Sequence, residues 1–303
     1  MSYLYRVYGF NLACEFPLPE LNRSIVPENS PADVSIRRGS LGFADLKSVK
    51  DNIAQSSPEE TLLVFPAAGA FRVRQGREIL VEPAPRTSET GMIPFILGAV
   101  MSILLSQRGL AVLHASCVWM REGAEAFIGH KGQGKSVMVA SLAQRGYTVL
   151  ADDVTAVLQS SDPPQILPAS LQIRLLPDAL DAFGYDANML PKVHPVSPKR
   201  NWQPPSISKR EAFPLHRIYV LTEDNDLSID LLSPTQAFVE LLRHAYLSRW
   251  PQITSRSETH FSQIASLANN VPVFRLRRPR QFSLLPQLIE MLENSPKNLS
   301  ESS

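Results

Sequence analysis

The sequence predicts an α/β fold: a small β-rich region over residues 1–88, then a phosphate-loop domain over 89–303. Three observations predict it. Residues 1–90 carry short stretches of alternating polarity between turn formers. Residues 129–136 read Gly129-His130-Lys131-Gly132-Gln133-Gly134-Lys135-Ser136, between a strand pattern and a helix pattern. A second strand, ending in Asp152-Asp153, follows that helix.

In chain order, Ala32–Ile36, Phe71–Arg74 and Glu78–Glu82 alternate as half-buried strands, and Gln75-Gly76 supplies a hairpin turn. Asp51–Glu60 is polar and reads as a loop. From Thr87 to Gln107 the period changes to that of a helix, with Ser88 as cap and Ile93, Ile96, Leu97, Val100, Met101 and Leu104 on its apolar face. Leu110–Val118 reads as one strand, and Glu122-Gly123 turns the chain into a second at Glu125–Ile128. After the glycine-rich loop a helix runs from Ser136 to Arg145, Gly146 ends it, and Tyr147–Asp153 is a strand. Residues 161–214 are rich in proline and read as loops, apart from Leu171–Leu176. Arg217–Thr222 and Leu227–Leu232 read as two strands across an acidic turn. Ser233-Pro234 opens a helix to His244; further helices at Thr259–Ala268 and Leu284–Leu292 flank a strand at Val273–Leu276, and the tail from Asn294 reads as frayed.

Composition narrows the function classes. Forty-four per cent hydrophobic residues and 19% charged ones describe an ordinary globular chain. A formal net charge of +1 gives no global field for nucleic acid or an anionic membrane, so neither is expected as a partner. The longest apolar run, Met92–Leu105, is broken by Pro94, Gly98 and Ser102 and reads as a buried helix. Cys14 and Cys117 form no metal-binding or disulfide pattern, and the N-terminus has no export signal, so a reducing cytoplasm is expected.

The chemistry lies in residues 129–153. Glycines 129, 132 and 134 let successive N–H groups turn onto phosphate oxygens, beside His130, Lys131 and Gln133. Lys135 reaches the β- and γ-phosphates, and the Ser136 hydroxyl is suited to Mg²⁺. Asp152 and Asp153 leave the next strand at its C-terminal end, where α/β sheets gather ligands. One suits Mg²⁺, and the other suits the proton of an incoming hydroxyl. His114, one hairpin upstream, is placed to orient an aspartate or the γ-phosphate. Arg174, Lys199 and Arg200 are candidates for stabilising transferred charge. Arg275, Arg277, Arg278 and Arg280 form a cluster suited to an acidic peptide, and Trp202 and Trp250 are expected in the core.

Leu113–Val118, the phosphate loop, Arg145-Gly146 and Leu150–Val154 together resemble the catalytic domain of the HPr kinase/phosphorylase family. The resemblance implies a phosphoenolpyruvate carboxykinase-like phosphate-loop domain with a mixed sheet, using ATP and Mg²⁺. It implies Lys135 and Ser136 on nucleotide and metal, Asp153 as base, Asp152 supporting metal or base, and His114 assisting. It also implies a homo-oligomer, since HPr kinases form hexamers. Where that family has an acidic-x-Arg-Gly-x-Gly stretch, this chain has residues 168–177, in which Arg174 alone can correspond. The N-terminal Tyr5–Phe10 and Pro17–Leu21 and the late Val273–Arg280 look more like the kinase-like proteins that tailor lasso and other ribosomal peptides. The expected partner is therefore a serine of a peptide or small protein. A nucleotide-binding regulatory module without transfer, and a free-serine or other metabolite kinase, are the alternatives.

Overall fold

The computed structural model describes residues 2–27, 29–42, 53–85, 87–121, 123–169, 172–194, 196–205, 210–250 and 257–294. The fold is mixed α/β, with two mixed sheets and a small third one.

The first sheet takes seven strands: β1 (Tyr3–Val7), β2 (Phe10–Cys14), β3 (Val34–Arg38), β4 (Ile53–Ser56), β5 (Glu60–Phe65), β6 (Gly69–Arg74) and β7 (Glu78–Pro83). Their order is β1-β2-β3-β7-β6-β5-β4, with β2, β3 and β7 parallel and the other pairs antiparallel. Ile53–Ser56 is a strand, not the expected loop, because Ile53 and Gln55 pair with Leu63 and Leu62 at the sheet edge; Asp51 and Asn52 lie outside the described residues. The turn at Gln75-Gly76 has φ of 51° and 62°, the left-handed pair that suits the twist of a two-residue hairpin.

Helix α1 (Glu89–Gln107) closes this sheet. The Ser88 hydroxyl accepts from Gly91 N at 3.2 Å, as the capping pattern predicts. Pro94 has no N–H to give, and at Ile96–Val100 the turn widens to π geometry, a change the apolar period did not signal. The helix has the length and apolarity of a membrane-crossing one, and 67% of its most apolar stretch is buried within the fold. Its residues Ile93, Ile96, Val100 and Leu104 share one core with Leu12, Ile36, Phe71 and Ile79 of the sheet.

The second sheet contains β8 (Ala111–Leu113), β9 (Ala115–Met120), β10 (Gly123–Ile128), β11 (Thr148–Ala151), β12 (Thr155–Leu158), β13 (Gln165–Leu167), β16 (Phe213–Glu223), β17 (Ser228–Leu231) and β18 (Val273–Arg278). Two strands between β13 and β16, β14 (Ile173–Leu175) and β15 (Arg200–Trp202), form the small third sheet. The described residues of 161–214 thus hold more regular structure than their prolines suggest, with β13, β14, α3 (Pro177–Ala182) and β15 among them; Leu171 of the expected stretch Leu171–Leu176 lies outside the described residues. β10, β16 and β18 run parallel, so their C-terminal ends lie along one edge. The strands on either side of the acidic turn are not a hairpin: β18 sits between β16 and β17 and pairs with both.

Alternation on β10 sorts the layers. Ala126 and Ile128 join a core with Ala237 and Leu241 of α4 (Pro234–His244) and Ile264 and Leu267 of α5 (Ser257–Asn270). Phe127 joins the opposite core, with Met138 and Leu142 of α2 (Lys135–Gln144) and Leu288 of α6 (Leu285–Asn294). α4 starts with a full capping box between Ser233 and Gln236. Trp202 and Trp250 are buried, as expected. Both cysteines are buried free thiols, and burial pushes Cys14 up to about 12. Residues 295–303, the expected frayed tail, lie outside the described residues, as does Glu122 of the expected turn.

Candidate active site

The loop after β10 carries the predicted sequence into a tight turn. Gly129, Gly132 and Gly134 have φ of 154°, 90° and 79°, conformations that side chains resist. A Cβ at Gly134 would also lie 2.4 Å from the Arg278 guanidinium. His130, Lys131 and Gly132 are exposed, Gln133 half-buried, and Gly134 is the cap from which α2 starts.

Lys135, the first residue of α2, folds back across the loop. Its Nζ donates to Gly129 O at 2.7 Å and His130 O at 3.4 Å. Only 7% of Lys135 is exposed. Burial lowers its pKa to about 8, against the pull of Asp152 and Asp153, which favour the charged form.

The two aspartates follow β11 and occupy different surroundings. Asp152 faces hydroxyls and backbone: Ser116 Oγ donates to its Oδ1 at 2.6 Å, Ser136 Oγ at 2.9 Å, and Arg174 N donates to its Oδ2 at 3.2 Å. Asp153 faces an imidazole, a phenol and a guanidinium. His114 Nδ1 lies 2.9 Å from its Oδ1, Tyr246 donates to the same oxygen at 2.9 Å, and Arg174 approaches Oδ2 at 3.3 Å. Burial pushes the Asp153 carboxyl up, but the hydrogen bond from His114 and the Arg174 charge outweigh it and hold it well below the usual carboxylate range. The backbone of Asp153 is left-handed, at φ 74°.

His114 reaches Asp153 because the predicted strand 110–118 is broken there. β8 stops at Leu113, β9 starts at Ala115, and His114 N instead donates to His244 O at 2.8 Å. Leu113 pairs with β12 while Ala115 pairs with β10, so His114 is the corner between two strand partnerships. The expectation of one strand over Leu110–Val118 therefore fails at His114.

The fold thus brings together His114, Lys135, Ser136, Asp152, Asp153 and Arg174. Lys199 acts on Lys135 only through its charge. Arg200 is turned away, its Nε donating to Ala187 O at 2.9 Å. The arginine cluster near the end is divided among separate partners. Arg275 pairs with Glu240 at 2.8 Å and Arg277 with Asp230. Buried Arg278 donates to Gln133 O of the phosphate loop at 2.7 Å. Alternate positions on a strand leave on opposite faces, so this run does not form a single patch for an acidic peptide.

Four contributors escaped the sequence. Ser116 had a signal as the polar residue of the apolar run Ala115–Met120, where it alternates with Val118 and Met120 on the α2 side of β9. Tyr246 and His244 come from the end of α4, remote in sequence. Tyr8, in the turn between β1 and β2, donates its hydroxyl to Val154 O at 3.1 Å and its N–H to Pro168 O at 2.9 Å. No local pattern marks a residue that acts from another sheet.

Ser136, Asp152 and Ser116 are hard oxygen donors around one carboxylate oxygen. This suits Mg²⁺, which takes few protein ligands and completes its shell with phosphate oxygens and water. Among the described residues no three His, Cys, Asp or Glu side chains gather into a metal centre.

No family model matches the chain, and no curated protein matches it. Among solved structures, the HPr(Ser) kinase/phosphatase from Coxiella burnetii is similar over 60% of this chain and 92% of its own, at 14% identity and a TM-score of 0.32. At that score the likeness carries no argument.

Proposed function

We propose that this chain is an ATP- and Mg²⁺-dependent phosphotransferase that moves the γ-phosphate to a serine hydroxyl of a peptide or small protein. The observation that carries this reading is the contrast across Asp152-Asp153. One carboxylate shares its oxygen with the Ser136 hydroxyl of the phosphate loop, and the next is held ionised by His114, Arg174 and Tyr246.

The loop amides and Lys135 bind the triphosphate; Ser136 and Asp152 hold Mg²⁺, which when bound neutralises charge on the phosphate oxygens. Asp153 accepts the hydrogen bond of the incoming hydroxyl and aligns its oxygen with the γ-phosphorus. A bond forms from the serine oxygen to that phosphorus, the bond to the β-phosphate bridging oxygen breaks, and ADP leaves. The hydroxyl proton passes to Asp153 and then to solvent. A carboxylate held by three donors is a weak base and a good aligner. That suits a loose transition state, in which positioning and charge stabilisation supply most of the acceleration. Arg174, 3.3 Å from Asp153 Oδ2, is the cation that stabilises charge on the transferred phosphoryl group.

Purified protein incubated with γ-labelled ATP, Mg²⁺ and serine-bearing peptides, with mass detection, tests this. The expected product is a phosphoserine that disappears in Asp153→Asn. Tight nucleotide binding with no phosphorylated product from any acceptor would replace the transferase by a nucleotide-binding regulatory module.

A further inference from the structure

The segment that follows α4 runs from the phosphate loop to Asp153. At its start the His244 ring meets that of His130 in the loop, with centroids 5.0 Å apart. Ala245 bridges to Leu113, Tyr246 N donates to Val112 O at 2.9 Å, and the Tyr246 hydroxyl reaches Asp153 Oδ1. A 3₁₀ turn at Leu247–Arg249 follows, in which Arg249 N donates to Tyr246 O at 3.1 Å. Trp250 then returns to the core that also holds Tyr246. Two buried aromatic residues thus fix the backbone on either side of the turn.

Between these anchors Arg249 is exposed, and its guanidinium carbon lies 4.8 Å from the centroid of the Tyr246 ring. An arginine resting on an aromatic face keeps its N–H edge free for a ligand. The carboxylates of the site and of α4 are engaged elsewhere: Asp153 with His114 and Arg174, Glu240 with Arg243 and Arg275. Among the described residues no carboxylate forms an ion pair with Arg249.

Its charge meets other cations instead. It disfavours the charged forms of Lys135 and His244, and Lys199 acts on Lys135 in the same sense. Gathering like charges costs energy that a polyphosphate would offset. Position narrows which phosphate. Lys135 marks the β/γ end of the loop, and Tyr246, on which Arg249 rests, binds the aspartate that aligns the acceptor. Arg174 stands at Oδ2 of that aspartate, whereas Tyr246 and Arg249 stand on the side of Oδ1.

We propose that Arg249 is a catalytic residue that leaves the Tyr246 ring to bind the equatorial oxygens of the γ-phosphoryl group during transfer, as a second cation across Asp153 from Arg174. It forms no covalent bond and moves no proton. Charge in a loose transition state spreads over those oxygens, and a planar guanidinium can hold two of them at once. The assignment rests on the transferase reading, and it adds a residue to which no phosphate-loop pattern points.

The test compares wild type, Arg249→Gln and Arg249→Lys as whole proteins. Each is incubated with labelled ADP, Mg²⁺ and aluminium fluoride, a mimic of the phosphoryl group in flight, with water in the acceptor's place, and ADP retained through gel filtration is counted. Wild type should retain ADP, Arg249→Gln should not, and Arg249→Lys should recover part of the retention. Affinity for MgADP without fluoride should be the same in all three, which a structural role for Arg249 would not allow. In peptide phosphorylation, kcat of Arg249→Gln should fall roughly a thousandfold with KM for ATP unchanged. Equal kcat in wild type and Arg249→Gln overturns the assignment and leaves the transferase standing, as does a loss confined to KM and plain MgADP affinity. A wild type that binds MgADP but neither retains it with fluoride nor phosphorylates any peptide overturns both.

Discussion

The two sides of the site that meet at Asp152-Asp153 obtain left-handed backbone in different ways. On the phosphate-loop side it is supplied by glycine, at 129, 132 and 134. On the hairpin side it is supplied by Tyr8 and Asp153, residues for which that conformation is strained. The difference follows from which group does the work. A phosphate cradle works through backbone N–H groups, so a residue without a side chain serves it best. At Tyr8 and Asp153 the side chain is the working part, and the strain is carried by the bonds that hold it. Asp153 is fixed by His114, Tyr246 and Arg174, and Tyr8 by Val154 O and Pro168 O.

Asp153 belongs to the contrast through both its charge and its backbone. Asp153→Asn keeps the shape and removes the charge, and asparagine tolerates the left-handed backbone. Turnover should fall by roughly 10²–10⁴, the range of a lost acid–base group, while nucleotide affinity measured by titration stays unchanged. Wild-type turnover in this variant would remove Asp153 from the reaction.

The phosphate-loop side should respond in the opposite sense. Lys135→Ala should cost roughly a hundredfold in nucleotide affinity, as loss of a buried charged partner does. The affinity of wild type should also fall as pH rises through about 8, because burial has lowered the pKa of Lys135 to about 8 and the ammonium charge is what is lost. A flat pH profile from 7 to 9 would contradict the burial argument.

How far the sequence disclosed the site follows the same division. The phosphate loop, its lysine and serine and the aspartate pair are contiguous, because backbone turning between one strand and one helix is a local property. Arg174 and His114 were accessible as single residues, but not their meeting on Asp153, which depends on the strand break at His114 and on pairing of Arg174 with Asn201 across β14 and β15. Tyr246 and Tyr8 join through tertiary packing alone. In the fold, the helices and most strands followed from period and caps. The π-wide turn in α1 and the insertion of β18 between β16 and β17 did not, since neither alters the local pattern of polarity.

Buried His244, whose carbonyl accepts from His114 N at 2.8 Å, ties the site to stability. Burial, then the neighbouring His130, Lys135, His114 and Arg249, lowers its pKa to about 3, with Glu240 as the acidic neighbour at 4.0 Å. The unfolded chain, with an ordinary histidine near 6.5, binds more protons between those two values. Stability should therefore be full above about 6.5 and decline as pH falls, by at most about 1.4 kcal/mol per unit from this group. His244→Gln should flatten that part of the profile in denaturant titrations at pH 7 and 5.5. An equally steep loss in the variant would assign the acid sensitivity elsewhere.

The backbone strain at Asp153 is separable from its charge. Asp153→Gly and Asp153→Ala both remove the carboxylate and its three bonds, so the difference between them reports the backbone at φ 74°. Left-handed backbone costs alanine about 1–2 kcal/mol and glycine little. The alanine variant should therefore be less stable than the glycine variant in denaturant titrations, by about 1 kcal/mol. Equal stability would mean that the turn relaxes once His114, Tyr246 and Arg174 lose the carboxylate. The left-handed backbone would then be a consequence of those three bonds rather than a load they carry, and the contrast with the glycines of the phosphate loop would hold only while the charge is present.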